Sequence, residues 1–209
     1  MQPETISRII LLTGEVEAPV LGQLLRAHNP GLEVHAVTVV ADLAPACAIP
    51  TAGTRLLSFC SPVIVPGALL NALPSPSYNF HPGPPERPGR YPSVFALYDN
   101  ATTFGVTVHE MLAAVDSGPI VGVQRFNVAP DADLEALEHL TLMHLLVVFR
   151  LLAQHLATNP AALPHAAEVW KGRKTSKADC DALCVVTPDM DSAEAERRRR
   201  ACGAHMLRR

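Results

Sequence analysis

The chain has 209 residues, 48 % of them hydrophobic and 18 % charged, with a formal net charge of −3. That length supports one substantial core, a single domain with a short tail, and the negative balance argues against a general nucleic-acid binder. The longest apolar run, around Leu145 to Leu152, is broken by Arg150, so no membrane span is expected.

The start, MQPETISRIILLTG, has neither a basic stretch nor a long apolar run ending in a small-residue cleavage site. No secretory signal is expected there, and the expected location is the cytoplasm. Arg8 to Gly14, RIILLTG, is a short continuous apolar run closed by glycine, the pattern of a strand buried on both faces. Val20, Leu21, Leu24 and Leu25 then form a helical stripe that stops at Asn29, Pro30 and Gly31, and Leu32 to Val40 is β-branched and strand-like. Strand, helix and strand at this spacing make a βαβ unit and imply a parallel sheet.

DLAPACAIPTAG is too broken by proline for a long helix, so a connecting helix is expected to be missing there. TRLLSF reads as a third strand, PGALLNAL as a short helix opened by Pro66, and SYNF as a fourth, very short strand. Thr103 to Met111 and Ile120 to Val128 read as two further strands, with Asp116 in the loop between them. From Asp131 a long helix is expected, capped by aspartates, with Leu134, Leu137, Leu140, Leu145 and Leu152 toward one apolar side.

The five cysteines, Cys47, Cys60, Cys180, Cys184 and Cys202, are odd in number and contain no C-x-x-C pair, which suits reduced thiols. Cys180 and Cys184 could share a helix face, but two thiols without partners make no zinc site, and no metal is expected. The Arg-rich tail ERRRRACGAHMLRR reads as a solvated helix end.

The stretch YNFHPGPPERPGRYPSV holds the candidate chemistry. Asn79 and His81, two residues apart, project from the same side of an extended segment, at a strand end where open α/β sheets bind ligands. Asp116 could reach the same crevice. An Asn amide can donate to a carbonyl oxygen as it becomes an oxyanion. A His can add to that stabilisation or protonate a leaving nitrogen, and an Asp can hold the His charge or relay a proton. The chain has no G-x-S-x-G elbow and no Cys tied to a His, so a covalent acyl-enzyme is not indicated. The Asn-x-His pair fits turn chemistry equally well, and residue types alone leave both readings open.

YNFHPGPPERPGRYP, followed in order by FGVTVHEMLAAVDSGPIV, resembles the 10-formyltetrahydrofolate-dependent formyltransferases. This family includes glycinamide ribonucleotide, methionyl-tRNA and sugar N-formyltransferases. The resemblance extends to LLSFCSPVIVPGALLNAL and covers roughly residues 5 to 175. It implies an α/β fold with an open, mostly parallel Rossmann-like sheet and helices on both faces, in a compact variant. A catalytic domain over 1–175 and a C-terminal extension with a basic tail over 176–209 follow from it.

Carried over by motif, Asn79 is the oxyanion donor, His81 the charged acid and Asp116 the base or proton relay. Pro62, Val63, Ile64 and Val65, with Ala113, Ala114 and Val115, would hold the pterin ring through their backbone. His109 is expected to be structural, and Trp170 a packing anchor.

The implied function is transfer of a formyl group from 10-formyltetrahydrofolate to a primary amine of a small molecule. The alternatives are a hydrolase of the same donor and a non-catalytic folate-binding or assembly module. Where the glycinamide ribonucleotide enzymes hold a phosphate on a Gly-rich loop, this chain has TGEVEAPV, so a phosphate is not expected there. No membrane or nucleic-acid partner is expected, and a homodimer is left open.

Overall fold

The structure is a computed structural model that describes residues 5–48 and 52–207. The first four residues, Ile49 to Thr51 of the proline-broken stretch, and Arg208 and Arg209 of the basic tail lie outside the described residues.

The elements run in the order β1 (Arg8–Leu12), α1 (Glu17–Arg26), β2 (Glu33–Val37), α2 (Val40–Cys47), β3 (Thr54–Phe59), α3 (Gly67–Ala72), β4 (Tyr78–His81), α4 (Pro92–Tyr98), β5 (Thr103–Glu110), β6 (Ile120–Asn127), α5 (Leu134–Thr158), α6 (Lys177–Leu183) and α7 (Ser192–Met206). The six strands form one sheet in the order β2-β1-β3-β4-β5-β6. β1 pairs in parallel with β2 and β3, and β3 in parallel with β4. Glu110 N donates to Pro119 O at 2.9 Å, and Gly105 closely approaches Gln124 O, which runs β5 and β6 antiparallel as a hairpin. The sheet is therefore mixed, with the parallel βαβ part that the sequence implies.

The chain packs as two compact units: Met1–His81, Val108–Gly122 and Leu146–Val169 form the first, and Pro82–Thr107, Val123–Leu145 and Trp170–Arg209 the second. In the first unit Ile10, Leu12 and Leu56 pack with Leu43, Ala46 and Cys47 of α2. The alternate residues point the other way, and there the Phe59 and Phe80 rings meet Phe149 of α5, with centroids 5.8 and 4.9 Å away. Helices thus cover both faces, and the continuous apolar runs of β1 and β3 are explained.

Arg55 is fully buried on the α5 side. Its Nε donates to Pro76 O at 3.0 Å and Nη1 to Leu156 O at 3.1 Å, while Nη2 donates to Pro160 O and Ala161 O, both at 3.2 Å. Burial pulls the guanidinium down to about 10, which still leaves it charged at neutral pH. Its charge also lies over the Tyr78 ring, whose hydroxyl accepts from Leu163 N at 2.7 Å.

In the second unit Val94, Leu97, Phe104, Leu134 and Leu137 pack with Cys180, Cys184, Ala201 and Cys202. Asp133 caps α5 by accepting from Ala136 N at 2.8 Å, as the aspartate-rich start predicts. Leu134, Leu137 and Leu145 are buried, whereas Leu140 is exposed, because the apolar side is narrower than the leucine spacing suggests. By length and composition α5 could cross a membrane; Leu145, Phe149 and Leu156 on it are buried, while Met143, Val147 and Leu151 are exposed.

Three expectations are corrected. A short helix, α2, does form between β2 and β3 despite Pro45, because Leu43, Ala46 and Cys47 are buried along it. The cysteines are not all free thiols: Cys184 and Cys202 form a disulfide, their Cα atoms 5.7 Å apart. The partners come from the ends of α6 and α7, a proximity that spacing along the chain does not display. The basic tail is not simply solvated, since Arg197 and Arg198 pair with Glu194, and Arg200 donates to Ala132 O at 3.0 Å. These bonds hold the Glu194 carboxyl down to about 2.

Two outcomes follow. Arg55→Met removes the donor of four carbonyls, one of them, Leu156 O, buried, and should lower stability by about 3 kcal/mol, read as a shifted denaturant midpoint in circular dichroism. Reducing the Cys184–Cys202 bridge, whose partners are 18 positions apart, should cost about 3 kcal/mol, read as a lower melting temperature in dithiothreitol than without it.

Candidate active site

The site is built at the carboxyl ends of β3 and β4 in the first unit. Register pairs Ser58 with Asn79 and Phe59 with Phe80, so Cys60 comes beside His81 as both strands end. Tyr78 and Phe80 are spent on the α5 side of the sheet, which turns Asn79 and His81 to the opposite face. His81 is buried and Asn79 half-buried.

Asp116 arrives from the β5–β6 connection. It is buried, and its φ of 43° lies in the left-handed region, which Asp tolerates better than most residues. Cys60 shares that conformation, at φ 50°. Two such residues flanking one crevice mark a backbone shaped for its side chains rather than for regular structure.

The three sequence-derived residues meet. His81 Nδ1 stands 3.6 Å from Asp116 Oδ2, an electrostatic contact longer than a hydrogen bond. The structure adds a fourth side chain, the buried His109 on β5. Its Nε2 is 3.3 Å from Asp116 Oδ1 and 3.2 Å from Asn79 Nδ2, and its Nδ1 is 2.8 Å from Glu110 O. From the sequence His109 is expected to be structural, because the family it resembles often carries a His there without a catalytic role. The signal within reach was position: it is the polar residue closing the β-branched run before the Asp116 loop.

The two expected ring-binding segments lie in the first unit, one leading into α3 and the other into the Asp116 loop. A Cβ added to Gly67, at the start of α3 two residues beyond the 62–65 segment, would meet Ala113 Cβ at 2.8 Å, so α3 starts against the 113–115 loop. Ser61 Oγ accepts from Val63 N at 3.2 Å, and Ser117 Oγ donates to Ala114 O at 2.6 Å, which shapes each loop locally. Pro62, Ile64, Ala113, Ala114 and Val115 are exposed, Val63 is half-buried, and Val65 turns inward to the core. Exposed apolar side chains of Ile64, Leu112 and Val115, beside irregular backbone, suit a flat ring held by main-chain donors and acceptors.

At the first strand's loop, a Cβ on Gly14 would meet Glu17 Oε2 at 2.3 Å. Glu17 thus lies over Gly14 at the start of α1. Among the described residues no cluster of His, Cys, Asp and Glu is set to hold a metal.

The proline loop after His81 belongs to the second unit and is fastened along its length. Lys171 N donates to Pro85 O at 2.9 Å, Thr175 N to Pro88 O at 3.0 Å and Arg90 N to Thr175 O at 2.8 Å. Trp170, at the head of this fastening segment, is half-buried.

Residues 54–144 match the family model described as formyl transferase. No curated protein matches the chain. Among solved structures, a sugar N-formyltransferase from Shewanella sp. is 18 % identical with a TM-score of 0.71, over 94 % of this chain and 88 % of that one. An N-formyltransferase from Helicobacter canadensis, in complex with folinic acid and dTDP-3-aminofucose, is 15 % identical with a TM-score of 0.67, over 94 % of this chain and 80 % of that one. HypX from Aquifex aeolicus with tetrahydrofolic acid is 18 % identical with a TM-score of 0.60, over 96 % of this chain and 35 % of that one. These likenesses establish the formyltransferase fold.

The neck of the Asp116 loop yields a prediction. A Cβ on Gly118 would fall 1.9 Å from Glu110 O, against backbone that cannot yield. Gly118→Ala should force the neck open and cost about 2–3 kcal/mol, measured by chemical denaturation, whereas Gly122→Ala, with open space around its Cβ, should be nearly neutral.

Proposed function

Taking residues 54–144 as formyl transferase sequence, we propose that this chain moves a formyl group from 10-formyltetrahydrofolate to a primary amine of a small molecule. The observation that carries the reading is the convergence of Asn79, His81 and Asp116, joined through His109, at one strand end. The backbone of 62–65 and 113–115 would hold the folate. When bound, it supplies the formyl carbon as electrophile.

The chain's own residues then divide the work. Asn79 donates an N–H to the formyl oxygen as negative charge develops on it, a contribution of roughly 10²–10³ in rate for one donor. His81, held by Asp116 at 3.6 Å, adds positive charge at that oxygen and gives a proton to the departing folate nitrogen. Asp116 accepts, directly or through water, the proton that the attacking amine sheds. Burial of His81 and Asp116 strengthens these interactions, since little solvent screens them.

The acceptor must be free of any need for a phosphate at the first loop, where Glu17 folds over Gly14. The amino-sugar nucleotide bound by the Helicobacter canadensis protein supports amino sugars as the first class to test.

The test is absorbance on mixing the chain with 10-formyltetrahydrofolate, with and without candidate amines. Release of tetrahydrofolate only with an amine is expected. Release without one would replace transfer by hydrolysis, and binding without release would reduce the chain to a folate-binding module. His81→Ala and Asp116→Asn should each lower turnover by roughly 10²–10⁴-fold with an unchanged circular dichroism spectrum. Turnover close to that of the parent in either variant would remove that residue from the mechanism.

A further inference from the structure

The two nitrogens of His109 face different chemistries. Nδ1 lies 2.8 Å from Glu110 O, a carbonyl oxygen that can only accept, so Nδ1 carries a proton. In the neutral ring Nε2 is then a lone pair. Asn79 Nδ2, at 3.2 Å, donates to it, since the opposite amide orientation would press Oδ1 against that lone pair. One amide hydrogen of Asn79 is thereby committed to His109, and the second is left for an oxygen beyond the strand end.

We propose that His109 is a positioning residue for the reaction: its Nε2 fixes the amide orientation of Asn79 and so aims the N–H that stabilises the oxyanion. The proposal rests on the formyl-transfer reading above. Asp116 Oδ1 stands 3.3 Å from the same nitrogen, so Asn79 and Asp116 face one edge of the ring. The imidazole is buried, 3 % exposed, and its orientation is fixed by the backbone at Glu110. That carbonyl is in turn seated against Gly118, which ties the ring to the neck of the Asp116 loop.

The experiment is steady-state turnover of the full chain with 10-formyltetrahydrofolate. His109→Leu should lower kcat by about 10²-fold while KM for the donor changes less than about threefold. His109→Gln, whose Oε1 can accept the same hydrogen bond, should recover about tenfold of that loss. In an Asn79→Ala background, His109→Leu should cost less than about twofold, because nothing is left to aim. A multiplicative loss in that background overturns the proposal, as does a kcat for His109→Leu close to the parent's.

Nitrogen-15 NMR of the unaltered chain gives an independent reading that does not need the variants to fold. At neutral pH, a pyridine-type Nε2 with a pyrrole-type Nδ1 on His109 is expected. A protonated Nε2 would overturn the donor assignment of Asn79 and the proposal with it. A parent that releases no tetrahydrofolate with water or amines would instead overturn the formyl-transfer reading, while the tautomer still decides the Asn79 contact.

Discussion

Arg55 ties distant parts of the first unit together as a buried cation that donates to four backbone carbonyls. Three of its four carbonyl acceptors belong to the end of α5 and the turn beyond, where the helix dipole already favours positive charge. The fourth, Pro76 O, stands two residues before β4. One side chain thus couples the close of the long helix to the entry of the strand that carries Asn79 and His81. The segment it anchors continues to Leu163, which donates to Tyr78, to His165, which pairs with Glu110 at 2.9 Å, and to Ala166, which donates to Ile120 O at 2.7 Å. The strands that present the site are therefore laced at their back by the chain that Arg55 fixes.

The same arrangement accounts for what could be read in advance. Asn79, His81 and Asp116 were legible because their motifs are short and local, and the parallel βαβ start was legible from apolar runs closed by glycine and proline. His109 was not, because its meaning lies in contacts between β5, β4 and the Asp116 loop, which sequence neighbours do not reveal. α2 was underestimated from Pro45, although an eight-residue helix loses little by one missing backbone bond when Leu43 and Cys47 gain a core. The bridge between Cys184 and Cys202 escaped for a related reason: both partners are ordinary small residues until α6 and α7 pack. Arg55, a single charge inside TRLLSF, gave no sign of being buried at all.

Polar atoms around the site are paired so that each contact narrows the freedom of the next. Glu110 serves twice, its main-chain oxygen accepting from His109 and its side chain binding His165, while Gly118 supplies the space that lets this oxygen sit at the loop neck. Such a chain of hydrogen bonds keeps side-chain rotamers fixed before any ligand arrives, which is the form of preorganisation on which electrostatic stabilisation depends.

The proline loop after His81 has a consequence for the order in which the molecule assembles. Prolines supply carbonyls but no donors, so the loop must borrow its N–H groups, and those of Lys171 and Thr175 lie more than eighty positions further along. A ribosome-bound chain released only as far as α5 would hold the start of this loop through Thr107 Oγ1, which donates to Gly83 O at 2.7 Å, but would lack the partners of its 85–90 part. The 85–90 part of the loop gains its remaining backbone bonds only when the 171–175 segment emerges, so these bonds belong among the late, long-range contacts of folding even though the loop's own residues are synthesised early.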